Sequence, residues 1–196
     1  MMLRKQFVTK FLILSILLFT GIQASSAQED EKIIDIGFEF QAYPTGLLPG
    51  IKATFGLDSR NAIHVRAGFN LINHRDLGVQ DSEKGWGGGG TIGYEHYFGD
   101  NLTRWFVGGR SDFWYNSINW ESNIGPIVSG NTKVFVIQPT VIGGYMFELG
   151  NGNIAFAPTL GFGFEINAAT NGAEVGQGPI GLIGFVFAKR TRKAAE

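Results

Sequence analysis

The chain has three histidines and no cysteine, and this limits the chemistry it can attempt. Thiolate metal sites, a cysteine nucleophile and a disulfide framework are all excluded. His64, His74 and His96 are too few and too scattered for a metal cluster. His74-Arg75-Asp76 sets an imidazole beside a carboxylate, the pair that general-base chemistry uses. No nucleophile accompanies it, in a His-x-Ser pattern or a Gly-x-Ser-x-Gly elbow. The run Gly85-Trp86-Gly87-Gly88-Gly89-Gly90 is followed by neither Lys-Ser/Thr nor a helical pattern, so it is no phosphate loop. It reads instead as a flexible loop entering a strand. A net charge of −1 gives no electrostatic footprint for nucleic acid. These residues point away from an enzyme and require neither cofactor nor metal.

Nine polar side chains, His64 among them, share a different property. Asp35, Glu39, Lys52, His64, Arg66, Glu95, Arg110, Asp112 and Glu165 all fall on the non-apolar parity of period-two segments. In the first segment Ile34, Ile36, Phe38, Phe40 and Ala42 alternate with Asp35, Gly37, Glu39 and Gln41. The same alternation recurs around Ile51–Leu57, Ile63–Leu71, Ile92–Phe98, Trp105–Tyr115, Phe135–Phe147 and Ile154–Ile166. An eighth segment, Pro179–Phe187, is apolar on both parities and is placed with Phe185 and Phe187 outward. Connections alternate between tight turns (Asp58–Asn61, Gly99–Thr103, Glu148–Asn153) and longer polar stretches (Asn73–Trp86, Ser117–Asn131, Ala168–Gly178). Only the first connection, Pro44–Pro49, departs from this pattern by being short.

The composition decides which face points out. Charged residues make up only 17% of the chain, below the ~25% usual for soluble domains, so there are too few to coat an exterior. The bulky parity is continuous, and the other is Gly, Ala, Thr and a few charges, which suits a narrow barrel interior. An all-β, eight-stranded antiparallel up-and-down transmembrane β-barrel over residues 28–187 is therefore expected. Aromatics are expected in two bands. Phe55, Phe98, Trp105, Tyr145, Phe147, Phe156, Phe185 and Phe187 fall at one end, and Tyr43, Trp86, Tyr94, Tyr115 and Trp120 at the other. The charged set would form an ion-paired plug or, alternatively, line a narrow ion path. Trp114, Tyr115 and Trp120 are the candidates for contact with an extracellular ligand or surface.

Residues 1–27 have the three parts of a secretory leader. Arg4, Lys5 and Lys10 precede the apolar run Phe11–Phe19, and Ser25-Ser26-Ala27 offers a cleavage site before Gln28. The run is about half the ~20 residues that a spanning helix needs. Export to the outer membrane with cleavage of this leader is the expectation, and outer-membrane lipid is the first expected partner.

With its leader, its eight alternating strands and its closing Gly181-Leu182-Ile183-Gly184-Phe185-Val186-Phe187, the chain resembles the small eight-stranded outer-membrane β-barrel proteins, of the OmpX, OmpA-transmembrane and opacity-protein type. The resemblance is architectural and covers residues 31–187. It implies assembly by the barrel-assembly machinery and a structural or surface role. In that family the closing aromatic is typically the last residue. Here residues 188–196 follow it and are read as a short basic periplasmic tail.

Overall fold

The computed structural model describes residues 32–74, 79–122 and 128–193. The leader at 1–27, Arg75 and Asp76 lie outside them. Eight strands run in chain order: β1 (Lys32–Tyr43), β2 (Gly46–Gly56), β3 (Asn61–His74), β4 (Ser82–Gly99), β5 (Thr103–Ser122), β6 (Val128–Leu149), β7 (Ile154–Asn171) and β8 (Gly178–Lys193). Each pairs antiparallel with the next, and β8 pairs with β1 to close the barrel. Closure leaves no free sheet edge, as any sheet surrounded by lipid requires.

Every parity assigned above holds. Ile36, Ile51, Ile92, Val141, Leu160, Phe162 and Ile183 are exposed on the outer face. The alternate positions point inward and are buried, charged side chains included. Eight strands leave an interior only wide enough for side chains, and inward glycines provide part of that room. A Cβ at Gly89 would lie 2.6 Å from the Trp114 ring, and one at Gly93 would lie 2.5 Å from the His64 ring. The Gly87–Gly90 run is therefore not a loop. It lies inside β4, where it lets large side chains of the neighbouring strands cross the lumen.

The strands run from 11 residues in β2 to 22 in β6, so most exceed the ~9–11 residues that a tilted strand needs to cross a bilayer. The three long connections shrink accordingly, and much of each is strand. β5 and β6 pair from Arg104↔Met146 out to Ser122↔Val128. The hairpin between β1 and β2 turns on Pro44 and Thr45 alone. Two gaps interrupt the β6–β7 ladder, between Ile137 and Thr140 and between Gly144 and Phe147. They fall beside Pro139 and Pro158, whose nitrogens have no proton to donate.

The end of the chain also needs correcting. β8 does not stop at Phe187 but pairs with β1 as far as Lys193↔Lys32. Residues 188–193 are thus barrel wall and not tail.

The aromatic bands are likewise unequal. At the short-turn end a continuous chain of ring contacts runs outside the barrel: Trp105–Tyr145, Tyr145–Phe147, Phe147–Phe156, Phe156–Phe185 and Phe185–Phe40. Tyr94, expected at the opposite end, belongs near this one, because its hydroxyl donates to Asn61 at the start of β3. At the other end Trp86 and Tyr115 face outward, with Phe69 against Trp86, but Tyr43 points into the lumen.

Candidate functional site

The lumen is filled in layers. At the short-turn end Ile33, Ala62, Tyr97, Leu102, Phe106, Met146, Ala155, Ala157, Val186 and Ala188 form a buried apolar stopper. Leu102 reaches it from the β4–β5 turn, where Asn101 and Leu102 both have positive φ. A left-handed leucine is unfavourable locally, and its full burial offsets that cost.

Above the stopper lies the ionic layer. All nine charged or histidine side chains assigned inward are buried. Arg66 reaches Asp112 at 2.6 Å and Glu39 at 3.1 Å, and donates to Thr91 and Gln41. Arg110 reaches Glu39 at 3.2 Å and Asp112 at 3.1 Å, and also donates to Gln41. The two guanidiniums therefore share two carboxylates and one carboxamide in a closed cycle. Beside it, Lys52 meets Glu95 at 2.5 Å, and Glu95 also accepts from Tyr97 and lies 3.3 Å from the His64 ring. Paired like this, buried charges become tolerable. Alone, each would be strongly destabilising.

Two members of the set stand apart from this cycle. Asp35 is nearer the short-turn rim, held in a two-point contact by Arg190 at 2.8 and 2.6 Å. Arg190 also reaches Glu148 at 2.6 Å and donates to the carbonyls of Asn101 and Leu102. A strand ended at Phe187 leaves Arg190 outside the barrel; the signal that places it inside is the alternation continuing through Ala188 and Arg190. Glu165 is buried toward the opposite end, away from the cycle.

A second apolar layer follows, built from Tyr43, Leu48, Ile72, Trp114, Ile118, Val134, Val136, Val175 and Leu182. The proposed loop-contact residues separate here. Trp114 is wholly buried, because β5 continues past it and its parity points inward. Its ring lies under the Arg66 guanidinium at 5.3 Å. Tyr115 is on the outer face, 58% exposed. Trp120 is half-buried and donates to Thr132 at 3.1 Å. Only Tyr115 is displayed as expected, and on a strand instead of a loop.

The long-hairpin end is closed by a strap, residues 172–177. Val175 and Gly176 are buried. Glu83 anchors them: its carboxylate accepts from the amides of Val79, Gln80 and Gly176 and from His74 Nδ1 at 2.8 Å. Thr132 donates to Ala173, and Asn167 to Val175 and Gly176. Burial alone would raise the Glu83 carboxyl, but the His74 ring and the three amides hold it below its ordinary value of 4.5. A depressed folded-state value means that its stabilisation is present above the unfolded value and is lost as pH falls through the folded one. The Gly176 amide signal should therefore titrate with a midpoint below 4.5, and the titration should disappear in Glu83→Gln. A midpoint at or above 4.5 would contradict the anchor.

His74 is committed to Glu83 at this rim and His96 to Asn61, whereas His64 lies 3.3 Å from Glu95 without hydrogen-bonding it. Among the described residues no group of three or more His, Asp or Glu is arranged to hold a metal.

No family model matches this sequence, and no curated protein does. Among solved structures, the chain is similar to Ail, the attachment invasion locus protein of Yersinia pestis, at 10% identity and a TM-score of 0.47, covering 84% of this chain and 100% of that one. It is similar to the N-terminal β-barrel domain of Pseudomonas aeruginosa OprF at 11% identity and TM-score 0.46, over 81% and 97% of the two chains. Neisserial surface protein A matches at 12% identity and TM-score 0.47, over 84% and 99%. The fold assignment itself rests on the closed ladder: the chain is an eight-stranded, all-antiparallel up-and-down β-barrel.

Proposed function

We propose that this chain is an integral outer-membrane barrel with a plugged lumen, serving a structural or surface-interaction role through its long-hairpin end. The observation that carries this reading is the inversion of its faces. Leu160, Phe162, Val141 and Ile183, each more than 60% exposed, point outward, while Glu39, Glu95 and Asp112 are wholly buried. In water such an exterior would be a large apolar liability. In a bilayer it is the lipid-facing surface of a barrel. Short turns at one end and long hairpins at the other support a periplasmic and an extracellular side respectively. Export through a cleaved leader at 1–27 belongs to the same proposal.

The layered interior supports a wall and not a pore. The Arg66–Glu39–Arg110–Asp112 cycle crosses the lumen between two apolar layers. Purified barrel in planar bilayers should give no unitary conductance steps at neutral pH. Reproducible steps that change when Arg66 or Arg110 is replaced would establish the alternative, a narrow ion channel through the same residues. A lipid-modifying activity is the weakest reading, since neither a His-x-Ser pattern nor a Gly-x-Ser-x-Gly elbow supplies a nucleophile for His74. Lipid A mass spectra unaltered by expression of the protein are the expected result.

A further inference from the structure

Above the apolar belt at the long-hairpin end, the outer face of the sheet carries a row of polar side chains that no part of the lumen uses. Cross-strand register sets Asn73 beside Lys84, Lys84 beside Asn119, and Asn119 beside Asn131, across β3 to β6. One step lower, Lys133 stands opposite Ser117. Asn73, Lys84, Asn119, Asn131 and Lys133 are all exposed. The amides are held in place: Asn131 Nδ2 donates to Asn119 at 2.9 Å and to Ser117 at 3.0 Å. Among the described residues neither lysine has an ion-pair partner. The acid on this face, Glu121, lies a further strand position outward. Directly on the membrane side of the row are Leu71, Trp86, Tyr115 and Phe135, all exposed.

We propose that this row binds the head of a phosphorylated glycolipid in the outer leaflet, an inference that rests on the membrane reading above. Lys84 and Lys133 take the phosphates as charge-assisted donors. The carboxamides and Ser117, fixed side by side, meet sugar hydroxyls, which accept and donate as carboxamides do. The acyl chains run down along Leu71, Trp86, Tyr115 and Phe135. The amide ladder is what selects a sugar head. The opposite rim also shows exposed lysines, with Lys32 directly across from Lys193 and Lys189 further along the same face, but has no such ladder. It suits simple phospholipid phosphates.

The test is binding of bisphosphorylated lipid A, dephosphorylated lipid A and phosphatidylglycerol to the refolded full barrel in micelles, read by native mass spectrometry. Bisphosphorylated lipid A should bind preferentially. The double variant Lys84→Ala/Lys133→Ala should weaken it by at least about tenfold, the equivalent of one lost charge-assisted contact. The triple variant Lys32→Ala/Lys189→Ala/Lys193→Ala should leave it unchanged. Equal retention of the dephosphorylated lipid, equal retention of phosphatidylglycerol by the triple variant, or insensitivity to the double variant would each overturn the assignment. Each variant is first checked for the folded gel band and for outer-membrane fractionation. A wild-type chain that fails that check sinks the membrane reading, whereas one that passes and shows no preference sinks only the glycolipid site.

Discussion

Replacing Glu39 with glutamine should destabilise the barrel by about 3–5 kcal/mol, the usual cost of stripping one partner from a buried ionic group. Glu39 touches both Arg66 and Arg110. Without it, two guanidiniums are left to share Asp112 in a space that excludes water. Urea unfolding of the barrel from lipid vesicles measures the effect. The diagnostic comparison is the pair: Glu39→Gln combined with Arg110→Gln removes one charge of each sign and should recover most of the loss. Such a positive coupling is expected of residues within one network. If the two losses instead simply add, the cycle is not an energetic unit and the plug reading fails.

The second large effect concerns the chain end. Truncation after Phe187 removes the part of β8 that pairs with Lys32–Gly37 and takes Arg190 away from Asp35. Asp35 is then a buried carboxylate without its cation, and the stopper loses Ala188. Such a chain should fail to give the folded, heat-sensitive gel band. Arg190→Ala alone should retain the band but lose about 3–5 kcal/mol. A Phe187 truncation as stable as the full chain would mean that residues 188–193 are dispensable.

These two cases also mark where the sequence was legible. Period-two alternation revealed the strand number, the facing of every strand and nine of the buried charged and histidine side chains, but not His74, Glu83 or Arg190, because an apolar exterior and a narrow lumen impose opposite chemistry on adjacent residues. Strand ends were not legible, since beyond the apolar belt both faces are polar. Ser117 to Ser122 and Val128 to Asn131 look like loop when they are paired hairpin. Arg190 was hidden for a related reason: among Lys189, Arg192 and Lys193 it resembles a basic tail until β1 is laid beside it. The alternating run Ile92–Phe98 sets Tyr94 near its outer start, whereas β4 begins ten residues earlier, at Ser82, and carries Tyr94 to the short-turn end. The Glu83 anchor joins β4 to a strap more than ninety residues later, and nothing local in the sequence signals that contact.

The central claim is that the apolar parity faces lipid and the charged parity faces a filled lumen. The most direct test is electrophoresis of boiled and unboiled samples from fractionated envelopes. The account predicts that the protein is found with outer membranes and that its unboiled band migrates differently from the boiled one. A protein recovered in the soluble periplasmic fraction, with identical bands, would contradict it and would mean that the apolar faces are turned inward.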